Sequence, residues 1–449
     1  MSTPAKRKHN TLETPDSPPL SRRKVQSTTT KTAVASFFTP TSKKPPEQTV
    51  WQERAADDDS PNTLLVGKYS PDTDKGLIQI ASETQRKKVA AFDFDSTLIQ
   101  TSSGKKFASD SNDWKWWHPS VPGRLRMLHA EEGYRIVVIS NQGGLSLNAD
   151  SKAPKSKVPT FKAKVSAVFN QLDMPISIYA ATGKDIYRKP RSGMWSELLD
   201  DYDIHSDDLD LEHSVFVGDA GGRHAGAGKP KDFSCSDRNF AGNLGLRFHT
   251  PEEFFLNEEP RPFTRTFEPS NYLSEPAAEA VASFSKMNDQ DLIIFCGSPG
   301  AGKSTFYWRN LGPIGYARVN QDILKTREKC LKVAEEYLKE GKSVVIDNTN
   351  ADSEVRGKWV QLASTYSVPI RCVHFTATTQ LCEHNDVVRA LNKPMNPEKR
   401  TVLPSLAFKG FASRYQAPTL SEGFQDVVEI SFKFEGNEEE KAVWSRHWT

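Results

Sequence analysis

The octapeptide Gly297-Ser298-Pro299-Gly300-Ala301-Gly302-Lys303-Ser304 constrains this 449-residue chain more than any other feature. It fits G-x-x-x-x-G-K-[ST], directly follows the apolar run Leu292–Phe295, and opens a stretch of helical pattern. A strand, a glycine loop and a helix in that order require a parallel sheet with helices packed on it. The apolar runs Val344–Ile346, Cys372–Phe375 and Val427–Ile430 continue the same series. Gly297, Gly300 and Gly302 let backbone N–H groups close on phosphates, and the helix start adds partial positive charge. Lys303 is expected to reach the β- and γ-phosphates of ATP, and Ser304, followed by Thr305, to hold Mg²⁺.

Asp347 ends the run Val344–Ile346, where an open parallel sheet places ligands, and suits a magnesium-associated or substrate-orienting carboxylate. Asp322 follows Val319-Asn320-Gln321. A carboxylate there can accept a proton from a hydroxyl nucleophile, which favours a kinase over a motor or switch ATPase. An Asp near a strand end also serves as a cap. Arg356 and Arg389 are candidates to stabilise charge in transfer, or are solvated surface arginines.

A separate α/β series occupies the first half, with strand candidates Val89–Phe92, Ile136–Ile139, Ile176–Tyr179 and Val215–Val217. Phe92-Asp93-Phe94-Asp95 places two carboxylates just past the first of these. Such close acids repel, which favours one ionised nucleophile and one proton donor. Asp93 is expected to attack phosphorus, and Asp95 to protonate the leaving alcohol and then activate water. A metal or cap pair is the other reading of D-x-D. Ser140, Lys189 and Asp219 fall at or near later strand ends: a hydroxyl for phosphate oxygens, a lysine to neutralise charge, and a carboxylate for Mg²⁺. Metal ligands are expected at Asp93, Asp95, Asp219 and, in the second half, Ser304.

Residues 1–62 are rich in Ser, Thr, Pro, Lys and Arg and are expected to be disordered. Nine Lys/Arg face two acidic residues in 1–46, although the whole chain carries a net charge of only +2. Lys6-Arg7-Lys8 and Arg22-Arg23-Lys24 read as a nuclear import signal or as a solvated basic tail. Val34, Phe37 and Phe38 have the spacing of a peptide that docks on sliding clamps, with Lys31 where that motif has Gln, or arise by chance. The domains are expected at 63–258 and 288–449, joined by a Pro- and Glu-rich linker, 259–287. The five cysteines form no CxxC pair and fit no zinc site, so reduced thiols are expected. No signal-peptide core and no run of about 18 apolar residues is present, so a soluble, intracellular protein without membrane contact is expected.

In combination and order, Asp93, Asp95, Ser140, Lys189 and Asp219 resemble the haloacid dehalogenase (HAD) phosphatases. Followed by the nucleotide loop, they resemble the polynucleotide kinase 3′-phosphatase family. The likeness runs from about Leu64 to near the C-terminus, through Ala91–Ile99, Gly133–Gly143, Arg188–Trp195, Val215–Arg223, Lys231–Cys235, Thr250–Phe255, Gly297–Phe306 and Val344–Asn350. It implies an α/β chain of two domains, a HAD-like Rossmannoid phosphatase followed by a P-loop NTPase-type kinase. It implies a monomeric enzyme that removes 3′-phosphate and phosphorylates 5′-hydroxyl at DNA strand-break ends. Asp322 would activate the hydroxyl, Asp347 would be the second acid of the nucleotide site, and Arg356 and Arg389 would clamp phosphates. Three departures stand out. The first 60 residues are too short and polar for the forkhead-associated domain of animal members. Ser96 replaces a frequent Gly beside the catalytic pair. Val387 stands where a relative has an Arg, leaving Arg389 alone in that role.

Affinity for DNA ends is expected to come from Lys/Arg contacts to phosphates. Lys152, Lys155, Lys157, Lys162 and Lys164 form an acid-free run that either tracks a strand or is a solvated loop. Trp114, Trp116 and Trp117 stack on bases or, as we prefer, pack in the core. A fused sugar-phosphate phosphatase and metabolite kinase, a scaffold with dead sites, and an RNA-end enzyme are the competing readings.

Overall fold

Val89–Phe92 and Leu292–Cys296 are apolar at every position and buried on both faces. Each therefore becomes an inner strand of a parallel sheet, because only there are both faces covered. The computed structural model describes residues 48–71, 86–148, 157–226, 228–273 and 284–449. The basic clusters, Val34, Phe37, Phe38, Lys152 and Lys155 lie outside the described residues.

The first half holds strands β1 (Thr49–Ala55), β2 (Asn62–Tyr69), β3 (Val89–Phe92), a short hairpin of β4 (Ile99–Gln100) and β5 (Lys115–Trp116), and then β6 (Arg135–Asn141), β7 (Ile176–Ala181), β8 (Val215–Val217) and β9 (Arg247–His249). Seven of them form one sheet in the order β1-β2-β7-β6-β3-β8-β9. Pairing is parallel from β7 to β9, and antiparallel where β2 joins β7 and β1 joins β2. Helices Val121–Ala130 and Val158–Leu172 cover one face; Gly193–Asp201 and Ser236–Leu244 cover the other. Trp114, Trp116 and Trp117 pack against the first of these cores, as preferred.

The second half holds β10 (Leu292–Cys296), β11 (Ala317–Val319), β12 (Val344–Ile346), β13 (Ile370–Phe375) and β14 (Val427–Ile430). These form a fully parallel sheet, β11-β12-β10-β13-β14. No helix among the described residues is long and apolar enough to cross a membrane.

Two expected boundaries are corrected. Residues 1–62 are not all tail: β1 pairs along β2 at the sheet edge. An edge strand with one wet face is built largely of polar residues, which hid β1 in a polar segment. Residues 259–287 are not a free linker throughout. Arg223 bridges to Phe263, and Phe267 and Tyr272 pack with Leu381, Val388 and Trp444 of the second half.

Candidate active sites

Parallel strands β6, β3 and β8 lie side by side and end on the same edge. Their C-terminal ends deliver Ser140, Asp93 and Asp219 into one place, as a parallel sheet must. Lys189 enters from the loop after β7. Its ammonium lies 2.7 Å from Asp93 Oδ1, 2.9 Å from Asp237 Oδ1 and 2.7 Å from the Ile139 carbonyl oxygen. Asn141 clamps the Lys189 backbone from both sides, accepting from its N–H at 2.9 Å and donating to its carbonyl at 3.1 Å.

Asp237 is the residue that sequence reading missed. Its carboxylate accepts the Ala220 N–H at 3.0 Å and reaches the site because residue 218 is glycine. A Cβ on Gly218 would lie 2.3 Å from Asp237 Oδ2. The signal available was the stretch Lys231–Cys235, which stops two residues short. Asp93, Asp219 and Asp237 each bring a carboxylate oxygen within 4.8 Å of the others. Burial, then Asp237 and Asp95 working against Lys189, raises the Asp93 carboxyl well above the usual carboxylate range. Burial and the charges of Asp93 and Asp237 raise Asp219 likewise. Burial opposes the Lys189 ammonium, but Asp237 and Asp93 outweigh it and raise its pKa. Three crowded carboxylates against one ammonium fit a hard divalent cation such as Mg²⁺.

Asp95 corrects an expectation. Its carboxylate is not part of this trio. One oxygen accepts from Gln142 Nε2 at 2.7 Å, and the other lies 3.3 Å from Lys164 Nζ. Its side chain is half-exposed, unlike those of Asp93 and Asp237. Ser140 Oγ accepts from Gln142 Nε2 at 3.0 Å, which leaves its own O–H to donate. The lysine run also divides: Lys157 is exposed, Lys162 pairs with Glu53, and Lys164 turns into the site.

In the second half, the nucleotide loop joins β10, the central strand, to the short helix Lys303–Phe306. Gly300 has φ +77°, and a Cβ there would meet the Cys382 carbonyl oxygen at 2.2 Å, so glycine is required. Lys303 folds over the loop and donates to the carbonyls of Gly297 at 3.0 Å and Ser298 at 2.6 Å. Burial lowers its pKa. Ser304 Oγ donates to Asp347 Oδ2 at 2.9 Å. A hydroxyl and a carboxylate beside a phosphate-binding loop fit Mg²⁺.

Two arginines that sequence reading passed over converge here. Arg318, on β11, donates to Asp347 Oδ2 from Nε at 2.8 Å and to Ser304 Oγ from Nη2 at 3.0 Å. Arg400 lies 3.5 Å from Ser304 Oγ and 3.4 Å from Asp322 Oδ2. Glu398 bridges both guanidinium groups. Arg318, beside Val319-Asn320, had a signal in its closeness to Asp322; Arg400, in an irregular loop, had none. Asp322 itself is open to solvent, on a turn fixed by Asn320, whose side chain accepts the Asp322 N–H at 2.8 Å. Arg389 donates to Asp386 Oδ1 at 2.8 Å and feels the charges of Arg400 and Glu398.

Arg356 is a correction. It is fully buried, and its guanidinium is turned to protein partners. Its Nε and Nη2 grip Glu422 at 2.8 and 2.7 Å, and Nη1 donates to the carbonyls of Asn350, Ala351 and Gln416. Every face of the guanidinium is committed to holding loops together.

Residues 88–255 match the polynucleotide kinase 3 phosphatase family, and residues 292–418 match an AAA domain family. The bifunctional polynucleotide phosphatase/kinase of Schizosaccharomyces pombe is 41% identical over 84% of this chain and 88% of its own length. The chain belongs to the bifunctional polynucleotide phosphatase/kinase family. A putative bifunctional polynucleotide phosphatase/kinase of Acanthamoeba polyphaga mimivirus is 32% identical over 80% of this chain and 88% of its own length. The polynucleotide 3′-phosphatase ZDP of Arabidopsis thaliana is 33% identical over 40% of this chain and 25% of its own length. Those matched residues place Asp93, Lys189, Asp219 and Asp237 in the phosphatase half, and the Gly297–Ser304 loop, Asp322, Asp347, Arg318 and Arg400 in the kinase half.

Proposed function

We propose that this enzyme prepares DNA strand-break ends for ligation, removing 3′-phosphate at one site and phosphorylating the 5′-hydroxyl at the other. The observation that carries this is the buried Asp93 held 2.7 Å from the Lys189 ammonium in the same chain as the nucleotide loop.

In the phosphatase half, an Asp93 oxygen attacks phosphorus as the bond to the 3′-oxygen breaks, giving an aspartyl-phosphate. Lys189 and the Ser140 hydroxyl meet the non-bridging oxygens. Asp95 passes a proton to the departing 3′-oxygen, then takes one from the water that hydrolyses the aspartyl-phosphate. Asp93, Asp219 and Asp237 would hold Mg²⁺, which would supply positive charge beside the phosphate. In the kinase half, Asp322 accepts the proton of the 5′-hydroxyl as that oxygen bonds to the γ-phosphorus of ATP and the bond to the β,γ-bridging oxygen breaks, releasing ADP. Lys303 and Arg400, with Arg318 and Arg389 behind them, offset charge on the transferred group. Ser304 and Asp347 would hold the Mg²⁺ that accompanies ATP. A monomer suffices, because a single chain supplies every group named; light scattering tests that. We further assign the tail's basic clusters to nuclear import, and Val34, Phe37 and Phe38 to a sliding clamp.

The test follows both ends of a nicked duplex carrying 3′-phosphate and 5′-hydroxyl, with Mg²⁺ and labelled ATP. Release of 3′-phosphate and labelling of the 5′ end are expected. Asp93→Asn should cut only the first, by about 10³-fold or more, and Lys303→Ala only the second. Turnover of small phosphate esters with neither DNA end changed would overturn the reading. Removing residues 1–46 should spare both activities and abolish nuclear accumulation and clamp capture; unchanged location and capture would remove those two assignments.

A further inference from the structure

Lys164 differs from the other lysines of its run. The helix Val158–Leu172 presents Phe161, Val165 and Val168 to the core, and Lys164 shares that inward face. Its side chain is only 11% exposed, and its ammonium sits 5.4 Å from the centre of the Phe94 ring and 5.9 Å from that of Phe161. An ammonium sunk among phenyl rings costs free energy unless it is paired. Its ion-pair partner among the described residues is Asp95, at 3.3 Å. Asp95 needs such a partner. It lies on a tight turn, followed by Ser96 at φ +62°, and half of its side chain faces solvent. Two groups hold it: Gln142 on one oxygen and Lys164 on the other.

We propose that Lys164 is a positioning residue of the phosphatase. With Gln142, it holds the Asp95 carboxyl in the rotamer that faces the ester's leaving oxygen. The inference rests on the phosphatase reading above. In the step concerned, the Asp93–phosphorus bond forms, the phosphorus–oxygen bond of the ester breaks, and the Asp95 proton ends on the departing oxygen. A contact to the DNA backbone is the rival role, and a buried, already paired ammonium is poorly placed for it.

The test compares kcat/KM for p-nitrophenyl phosphate and phenyl phosphate, with Mg²⁺, in wild type, Lys164→Met and Lys164→Arg. The ratio covers steps only as far as phosphoryl transfer, so later hydrolysis of the aspartyl-phosphate does not enter. Nitrophenolate departs without a proton; phenolate needs one. Lys164→Met should lose about tenfold or more on phenyl phosphate and little on the nitrophenyl ester. Lys164→Arg should recover most of the loss. Kinase activity of the same variants, expected to be unchanged, reports an intact fold. Equal losses on both esters, or none, would overturn the proposal, as would a defect confined to KM for 3′-phosphate DNA. A wild type that turned over neither ester nor 3′-phosphate DNA would instead sink the phosphatase reading itself.

Discussion

Arg318 lies on β11 and Arg356 on the helix Ser353–Thr365 that follows β12, and their surroundings assign them opposite work. Arg318 touches Ser304 and Asp347, the two groups proposed to hold the Mg²⁺ that accompanies ATP. Arg356 touches Glu422 and three carbonyls, and no water reaches it. Removing one partner of a buried ion pair leaves the other charge stranded, which costs about 3–5 kcal/mol. Arg356→Met is therefore expected to lower unfolding stability in urea by that order, while kinase turnover per folded molecule stays unchanged. A large fall in turnover at wild-type stability would return Arg356 to the catalytic set. Closeness to Asp322 was the signal the chain offered for Arg318; for Arg356 only the distant Glu422, brought in by its own loop, decides the matter.

The helix Thr379–Leu391 carries another buried group with a measurable signature. His384 sits 4.7 Å from Phe267 and 4.8 Å from Trp444, ring centre to ring centre. Its Nε2 donates to the Trp444 carbonyl oxygen at 2.9 Å, and its Nδ1 is buried with no partner. Burial pulls its pKa down to about 4 from an ordinary 6.5. Between those values the unfolded chain takes up a proton that the folded one refuses. Stability from this site is thus complete above pH 6.5 and is lost as pH falls to 4, by up to about 3 kcal/mol. Urea unfolding across that range should show a shallower fall for His384→Gln than for wild type; parallel curves would refute it. Elements of this second half differ in how openly the chain announces them. β10 and β12 are legible because both faces are apolar. β11 is three residues long, too short for any periodicity, and is recognised only by its pairing with β12. The phosphatase site follows the same logic. Asp93 and Asp219 each end an apolar strand, whereas Asp237 opens a helix with no strand before it, and its approach depends on Gly218 across the fold.

Residues 48–449 form a single compact unit although they contain two sheets with separate chemistry. Two seams account for this, and neither was legible beforehand. In the first, the segment expected as linker is stitched to the phosphatase half by Arg265, whose Nε donates to Asn239 Oδ1 at 3.0 Å. It then packs Phe267 and Tyr272 onto the kinase half. In the second, Asn243 donates to the carbonyls of Pro190 at 2.9 Å and His447 at 2.8 Å, and accepts the His447 N–H at 2.8 Å. Arg191 Nε adds a bond to the Trp448 carbonyl at 3.1 Å. Backbone groups of His447 and Trp448 carry no side-chain pattern, so nothing in their neighbourhood advertises the contact. Such seams tie the halves mechanically without mixing their active sites. Wild type is therefore expected to melt in one calorimetric transition. Asn243→Ala removes three neutral hydrogen bonds, worth about 2–4 kcal/mol together, and should split that transition or broaden it. Both activities should persist below the first melting step, since Asn243 touches neither site's reacting groups. Two well-resolved transitions already present in wild type would show that the seams do not couple the halves.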